Sequence, residues 1–208
     1  MPWMVEKLLS VYRIHLRAKQ IAVVGPSIDD PVAEIKGRHL RSRGTVFFEL
    51  ASCEQGCLEG ITFVITSGAL YRTDIYQKIG MFRGDFFIDY VDMEYCLRAK
   101  TFGYEILVNC DAHLIHRLGK RQKRVIMGRA EYPRFHSPLR WYYLSRNRIP
   151  MLKKYAIHFP YWCIYEFFNF SYGFLRMFLL EDQRREKVTA FLRGTWDGLH
   201  GRLGAVSK

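Results

Sequence analysis

The sequence is short of acid, short of long uncharged apolar runs, and short of familiar phosphate-binding or nucleophile motifs. Against 32 Lys and Arg stand only 20 Asp and Glu, a formal net charge of +12 over 208 residues. Such a balance calls for an anionic partner (nucleic acid, acidic lipid or a phosphorylated substrate) and says nothing about fold. No zinc finger, RNP-type signature or helix-turn-helix pattern is present, so nucleic acid would rest on charge alone and is set aside. No G-x-x-x-x-G-K-[ST], G-x-G-x-x-G or G-x-S-x-G string occurs, which removes the P-loop, dinucleotide-binding and hydrolase-elbow readings. The most apolar stretch, residues 161–180, carries Glu166, Asn169, Ser171 and Arg176. It makes a poor transmembrane span, and both a helix lying in the membrane interface and a helix packed on the domain stay open. The N-terminus has no apolar h-region of the secretory kind. Five cysteines, an odd number without a regular framework, suit reduced thiols and a reducing compartment. Cys53 and Cys57 have neither zinc-knuckle nor thioredoxin spacing and read as structural.

What is present suffices for a core: 49% of the residues are apolar and 15% aromatic. Val5, Leu8, Leu9, Tyr12 and Leu16 recur at helical spacing and predict an amphipathic helix over 3–18. Residues 21–26, a continuous apolar run closed by Gly25-Pro26, predict a buried strand ending in a turn. Residues 27–44 read as loop, and 45–50 and 61–66 as strands. A short helix is expected over 73–79, with Thr73 as N-cap and Gly80 just past its end. Residues 86–98 change period midway, from an extended stretch to a helix that Gly103 ends, and 104–109 and 112–116 follow as two strands. Beyond Pro138 only helices are expected, over 139–155, 161–180 and 183–193. This alternation predicts an α/β or α+β layered domain followed by a helical extension.

Asp89, Asp92 and Glu94 form the one dense acidic cluster, at the junction into that helix. They read either as helix-start chemistry, with Asp89 as N-cap and Glu94 paired to Arg98 at i+4, or as a carboxylate poised as a general base. Cys110, His113 and His116 have spacings that suggest metal ligands, although strand alternation sends Cys110 and His113 to opposite faces. His116 alone suits a metal or phosphate contact. Residues 117–130 hold six Lys or Arg and no acid. They read as a mobile basic loop, either merely solvated or a clamp for phosphate.

Residues 65–72 (ITSGALYR), 76–82 (YQKIGMF), 87–98 (FIDYVDMEYCLR), Gly103-Tyr104 and 112–119 come in an order and spacing that resemble the C-terminal half of the catalytic domain of family 2 glycosyltransferases. Residues 136–148 (HSPLRWYYLSRNR) resemble the tail of the dTDP-rhamnosyltransferase branch. The resemblance implies a partial GT-A-like mixed sheet with flanking helices over 1–135, then a helical, basic and aromatic, membrane-associated extension over 136–208. It places Asp92 where the family keeps its catalytic base, Glu94 on the second acidic position of the same motif and Arg98 on the basic position after it. Ser67 and Gly68 fall on the turn beside the acceptor pocket, and His116 near the histidine that faces the diphosphate or its metal. Lys120, Arg121, Lys123 and Arg124 would meet phosphate or lipid head groups.

The implied activity is transfer of rhamnose, or a similar deoxyhexose, from a dTDP-sugar to a lipid-linked saccharide in O-antigen synthesis, at the cytoplasmic face of the inner membrane. The family's acidic motif for Mg²⁺ or Mn²⁺ does not precede residues 4–9. The chain is therefore expected to be an N-terminally truncated remnant or subunit that lacks the donor-binding half, inactive and without metal by itself unless a separate N-terminal half associates with it. A sheet lacking that half should expose an apolar edge and one uncovered face. The competing reading is a non-catalytic, basic module for a membrane surface or an anionic polymer.

Overall fold

A computed structural model describes residues 2–15, 20–30, 37–116, 124–126, 129–131 and 135–206. These residues divide into two compact units. One holds the chain up to Arg83 together with Asp92–His116, and the other holds Gly84–Val91 with the chain from Arg117 onward. Six helices and a small mixed sheet among the described residues make the α/β class.

In the first unit, α1 (Pro2–His15) leads to β1 (Ile21–Asp29). The four-stranded sheet runs in the order β4 (Cys57–Leu58), β6 (Glu105–Ile115), β1, β5 (Leu70–Tyr71). β1 and β6 are parallel, and the two-residue outer strands are antiparallel to their neighbours. Met4, Leu8 and Val11 of α1 pack on Ile21, Val24, Leu107 and Ala112. On the opposite face Ile75 and Ile79 of α2 (Thr73–Ile79) and Tyr95, Cys96 and Ala99 of α3 (Val91–Thr101) pack on Ala22, Val23, Ile106 and Val108. Both faces of the sheet are thus covered, and the expected uncovered face is not found. β1 accordingly reads as a run of buried residues, as a doubly covered strand must.

Local signals were partly misleading. β1 does not stop at Gly25-Pro26. It continues to Asp29, because beyond Val24 it pairs only with β6, and a proline without a donor costs little there. Within 27–44, expected to be loop, lies β2 (Arg38–Ser42), which pairs with β3 (Phe48–Ser52), the strand expected over 45–50 displaced toward the C-terminus. Residues 61–66 form only a single bridge, Ile61 to Arg41. Their apolar character instead packs Val64 onto Gly25, where a Cβ would collide with the valine. The two strands expected over 104–116 are one, β6, and the break in period is real. Pairing jumps from Pro26 opposite Asn109 to Ser27 opposite His113, which leaves a bulge around Cys110–Ala112. Thr73 is the first residue of α2, not its cap: Arg72 occupies that place without a side-chain bond. Gly80 ends the helix at φ 90° as expected. Helix α1 is described only as far as His15, so the end of the expected 3–18 helix lies outside the described residues.

The cysteines also depart from expectation. Cys53, just after β3, is joined to Cys110 in the β6 bulge by a disulfide, while Cys57, Cys96 and Cys163 are free.

In the second unit, a 3-10 turn (Gly84–Phe86) ends at Phe86, where an extended stretch was expected to begin. A hairpin of β7 (Arg124–Ile126) and β8 (Arg129–Glu131) interrupts the expected basic loop, and the rest of that loop lies outside the described residues. Then come α4 (Pro138–Tyr155), α5 (Pro160–Leu180) and α6 (Arg184–Leu199). Ser137 caps α4 by accepting the Arg140 N–H, with Pro138 at the first helical position. Trp141 of α4, Phe170, Phe174 and Met177 of α5, and Val188 and Phe191 of α6 make the apolar centre. Helix α6 meets α4 through Gly194 and Gly198. A Cβ at Gly194 would collide with the Tyr142 carbonyl, and one at Gly198 with that of Arg146. Among the described residues no helix is long and apolar enough to cross a membrane.

Two outcomes follow from this packing. Gly194→Ala should destabilise the protein by about 1–3 kcal/mol, read by urea denaturation, because two helix backbones would have to separate. His39 is buried in β2 with no hydrogen bond to its Nε2. Desolvation lowers its pKa to about 4 from 6.5. Between those values the unfolded chain takes up the proton and the folded one does not. Stability should therefore fall as pH drops from 6.5 toward 4, by up to roughly 3 kcal/mol, and His39→Leu should flatten that slope in thermal melts.

Candidate functional site

The residues singled out in the sequence separate into three places. The first is a turn in the first unit. Thr66-Ser67-Gly68 lies between the apolar segment 61–65 and β5, and it touches two functional candidates at once. The Thr66 N–H donates to Asp92 Oδ2 at 3.3 Å, and Ser67 Oγ lies 3.4 Å from His116 Nε2. Gly68 makes the turn possible, with φ at 70° and the position of its missing Cβ crowded by Leu114, Pro26 and Met4. Asp92 stands in the first turn of α3, where the Met93 N–H also holds its carboxylate at 2.9 Å. His116 follows the end of β6, its backbone N–H bonded to the Asp29 carbonyl at 3.0 Å. Ser67, Asp92 and His116 are each partly exposed. A carboxylate, a hydroxyl and an imidazole thus meet around one glycine turn at solvent.

Glu94 and Arg98 are elsewhere. Glu94 is fully buried and pairs with Arg98 at 3.0 Å, the i+4 pairing that the sequence left open. Arg98 in turn donates to the Ile79 and Met81 carbonyls at 2.7 Å each. The pair ties α3 to the C-terminal end of α2, where carbonyls lack helical partners. Arg98 Nη1 also lies 2.8 Å from where a Cβ at Gly80 would be.

The basic run is the third place. Lys120, Arg121 and Lys123 lie outside the described residues, and Arg124 opens β7. Cys110, in its disulfide, is no metal ligand, and His113 Nδ1 faces Asp29 Oδ2 at 3.4 Å. Among the described residues no group of three or more His, Cys, Asp or Glu side chains could hold a metal ion.

No family model and no solved structure matches the chain. It is 29% identical over 155 residues to a Shigella flexneri protein named dTDP-rhamnosyl transferase. The match covers 71% of this chain and 48% of that protein, so the chain spans about half the length of the curated relative it matches. This likeness agrees with the resemblance seen in residues 65–148.

The second unit also contains bonded polar groups whose partners the sequence reading did not foresee. The loop between the 3-10 turn and α3 holds three non-glycine residues in the left-handed region: Phe87 at φ 63°, Asp89 at 62° and Tyr90 at 64°. Each costs on the order of 1–2 kcal/mol. Asp89 takes a two-point bond from Arg140, at 2.8 and 3.1 Å, so it is an ion-pair partner rather than a helix cap. The Tyr90 hydroxyl donates to the buried Glu166, whose pKa is raised by loss of solvent. Arg148 lies 3.7 Å from the same carboxylate. The signal for these groups was present: Tyr143, Asn147, Met151 and Tyr155 recur every fourth residue on one face of α4, all buried, and Asn147 breaks an otherwise apolar or aromatic stripe. A separate groove of about 510 Å³ between α4 and α6, lined by Tyr142, Arg185 and Arg193, contains none of the residues singled out.

Proposed function

We propose that this chain forms the acceptor side of a glycosyltransferase that moves rhamnose, or a similar deoxyhexose, from a dTDP-sugar to a lipid-linked saccharide. The observation that supports the reading is the Thr66–Gly68 turn, whose Thr66 N–H bonds Asp92 and whose Ser67 lies 3.4 Å from His116, in a chain similar to a dTDP-rhamnosyl transferase. In this reading Asp92 accepts the proton of the acceptor hydroxyl. The freed oxygen bonds to the anomeric carbon with inversion, the bond from that carbon to the phosphate oxygen breaks, and dTDP leaves with the electron pair. His116, steadied by Ser67, donates to a departing phosphate oxygen. Glu94 and Arg98 keep α3 in place. A nucleotide-binding half, together with any divalent metal, is supplied from outside residues 1–208. The exposed Trp3, Val5 and Leu9 on the outer side of α1 offer it an apolar surface.

The site of action in this proposal is an acidic bilayer surface. Phe167, Phe168, Tyr172, Leu175, Phe178 and Leu179 stand exposed along α5 at helical spacing, and the one acid in that helix, Glu166, is buried on the other side. An uncharged aromatic ridge on a chain of net charge +12 suits the interface of an anionic membrane. The same ridge also supports the second reading, a membrane-binding module without catalysis.

One pair of variants separates the two. Asp92→Asn, assayed for sugar transfer in the chain combined with a nucleotide-binding half, should lose at least about 100-fold in turnover with an unchanged melting temperature. Full transfer by this variant would leave the binding module standing. Phe168→Asp combined with Phe178→Asp should lower flotation with phosphatidylglycerol vesicles about tenfold or more while Asp92→Asn floats normally. Undiminished flotation would remove the α5 ridge from membrane contact.

A further inference from the structure

Strand β6 does not keep one register along its length, and its far end carries His116. Before the bulge Ile106 and Val108 face α2 and α3, while Leu107 and Asn109 face α1. Strict alternation would continue with Asp111, His113 and Ile115 toward α1 and would turn His116 away from it. The bulge reverses that order. Pro26 pairs with Asn109 and Ser27 with His113, so Cys110, Asp111 and Ala112 are the extra residues. From there Ala112 and Leu114 take the α1 side. The turn glycine Gly68 packs against Leu114 and against Met4 of α1. His116, two residues beyond Leu114, thereby comes within 3.4 Å of Ser67. The meeting of these two side chains depends on the bulge.

The bulge is held from the loop 53–56 and from α1. The Cys110 N–H donates to the Gly56 carbonyl at 2.8 Å. The Gly56 N–H reaches both carboxylate oxygens of Asp111 at 3.3 Å, and Lys7 Nζ donates to the Asp111 carbonyl at 2.7 Å. The Asp111 N–H donates to Asn109 Oδ1 at 3.0 Å. The bonds from Gly56 and Lys7 to Asp111 are exposed, where water replaces either partner at little cost. The Cys53–Cys110 disulfide ties the bulge covalently to a residue 57 positions earlier. Cys110 is 2% exposed, whereas Cys53 is partly exposed and is followed by the exposed Glu54, Gln55 and Gly56. A thiolate from solution reaches the bond from the Cys53 side.

We propose that this disulfide is a redox-controlled positioning device for His116: closed, it holds the bulge that brings His116 to Ser67, and opened by a dithiol it lets the bulge relax. One thiolate of the dithiol attacks Cys53 Sγ, the bond between the two protein sulfurs breaks, and Cys110 leaves as a thiolate that takes up a proton. The second thiolate of the dithiol then displaces Cys53, which takes up the other proton. The bridge has gained two electrons and two protons, and the dithiol has become a disulfide. The proposal rests on the reading of the Ser67, Asp92 and His116 turn as a transfer site, and it adds control by thiol redox state to that site.

Reduction of the chain itself with dithiothreitol is the first test. Amides 109–116 should exchange with deuterium about tenfold faster or more, while amides 95–101 of α3 keep their protection. The imidazole NMR signals of His116, which Ser67→Ala should shift in the oxidised chain, should no longer respond to Ser67→Ala after reduction. In the chain combined with a nucleotide-binding half, reduction should lower kcat about five- to tenfold with the donor KM within about twofold, and glutathione disulfide should restore it. Cys110→Ser should hold the low kcat and abolish the response to dithiothreitol, whereas Cys57→Ser should keep that response. Should Cys110→Ser fail to fold, reduction and reoxidation of the parent chain decide the matter. Exchange and His116 signals unchanged by reduction would overturn the proposal. Loss of protection throughout α3 would overturn it as well, since the bridge would then merely support the fold. His116→Ala tells the two ideas apart. If it transfers sugar normally, the role of His116 in transfer fails and redox control of transfer falls with it. If it loses transfer while reduction loosens 109–116 and leaves kcat within about twofold, the transfer reading stands and only the redox control fails.

Discussion

The carbonyl groups of Asp85, Phe86, Ile88 and Asp89 belong to no helix or strand ladder, yet they face the interior of the helical unit. Buried carbonyls without donors are expensive; Ile88 N–H and Gly204 N–H reach those of Phe86 and Asp85, and side chains supply the rest. Arg146 and Asn147 supply them from adjacent positions of α4, which places two polar residues in the middle of a helix face otherwise made of Trp, Tyr and Met. Much of the second unit follows from that requirement. Arg146 is itself fixed by Tyr143 and by the carbonyl of Gly204, so the chain past α6 is drawn in as well. The close approach of α6 through Gly194 and Gly198 covers α4 beside these groups.

The first unit answers a different constraint. Its two central strands are buried on both faces, so each must present apolar residues continuously, and the covering helices must come from the chain on either side. Helix α1 supplies one cover, and α2 with α3 the other. The bulge in β6 lets one strand serve both layers. Ile106 and Val108 face α3, Leu107 and Asn109 face α1, and after the bulge Ala112 and Leu114 take over the α1 side. The strand then ends beside His116, and the packing of Gly68 against Leu114, Pro26 and Met4 brings Ser67 to it. The candidate site therefore stands on the ends of elements whose middles are rigid, which is how a few partly exposed polar groups are held at fixed distances.

Elements with one dominant period were legible: α1, α3, α4, α5 and most of α6 follow from their spacing, and Gly80 and Gly103 end helices as glycine does. The Asp92 junction was legible because acidic residues favour the first turn of a helix, whatever their further purpose. Short strands were not. β2 lies in a polar, basic stretch, and β4 and β5 have two residues each, too few for any period. Residues 61–66 have the composition of a strand but spend it on packing against Gly25. The Cys53–Cys110 bond was invisible for the same reason that the β6 bulge was: both depend on which residue of one segment lies opposite which residue of another.

By itself the sequence determined the class of the fold, the segments in which most helices lie, the basic character of the whole, and the segments that look like a rhamnosyltransferase. These are local properties, set by spacing and residue type within one stretch of chain. Tertiary structure decided the rest. It separated Glu94 from Asp92, sending one into a buried pair with Arg98 and the other to the surface beside the Thr66–Gly68 turn. It matched Ser67 with His116 across 49 residues of sequence. It turned Asn147 toward carbonyls some 60 positions earlier in the chain. A hydrogen bond between distant residues is fixed by the path of the backbone between them, and no pattern within either partner's own segment records it.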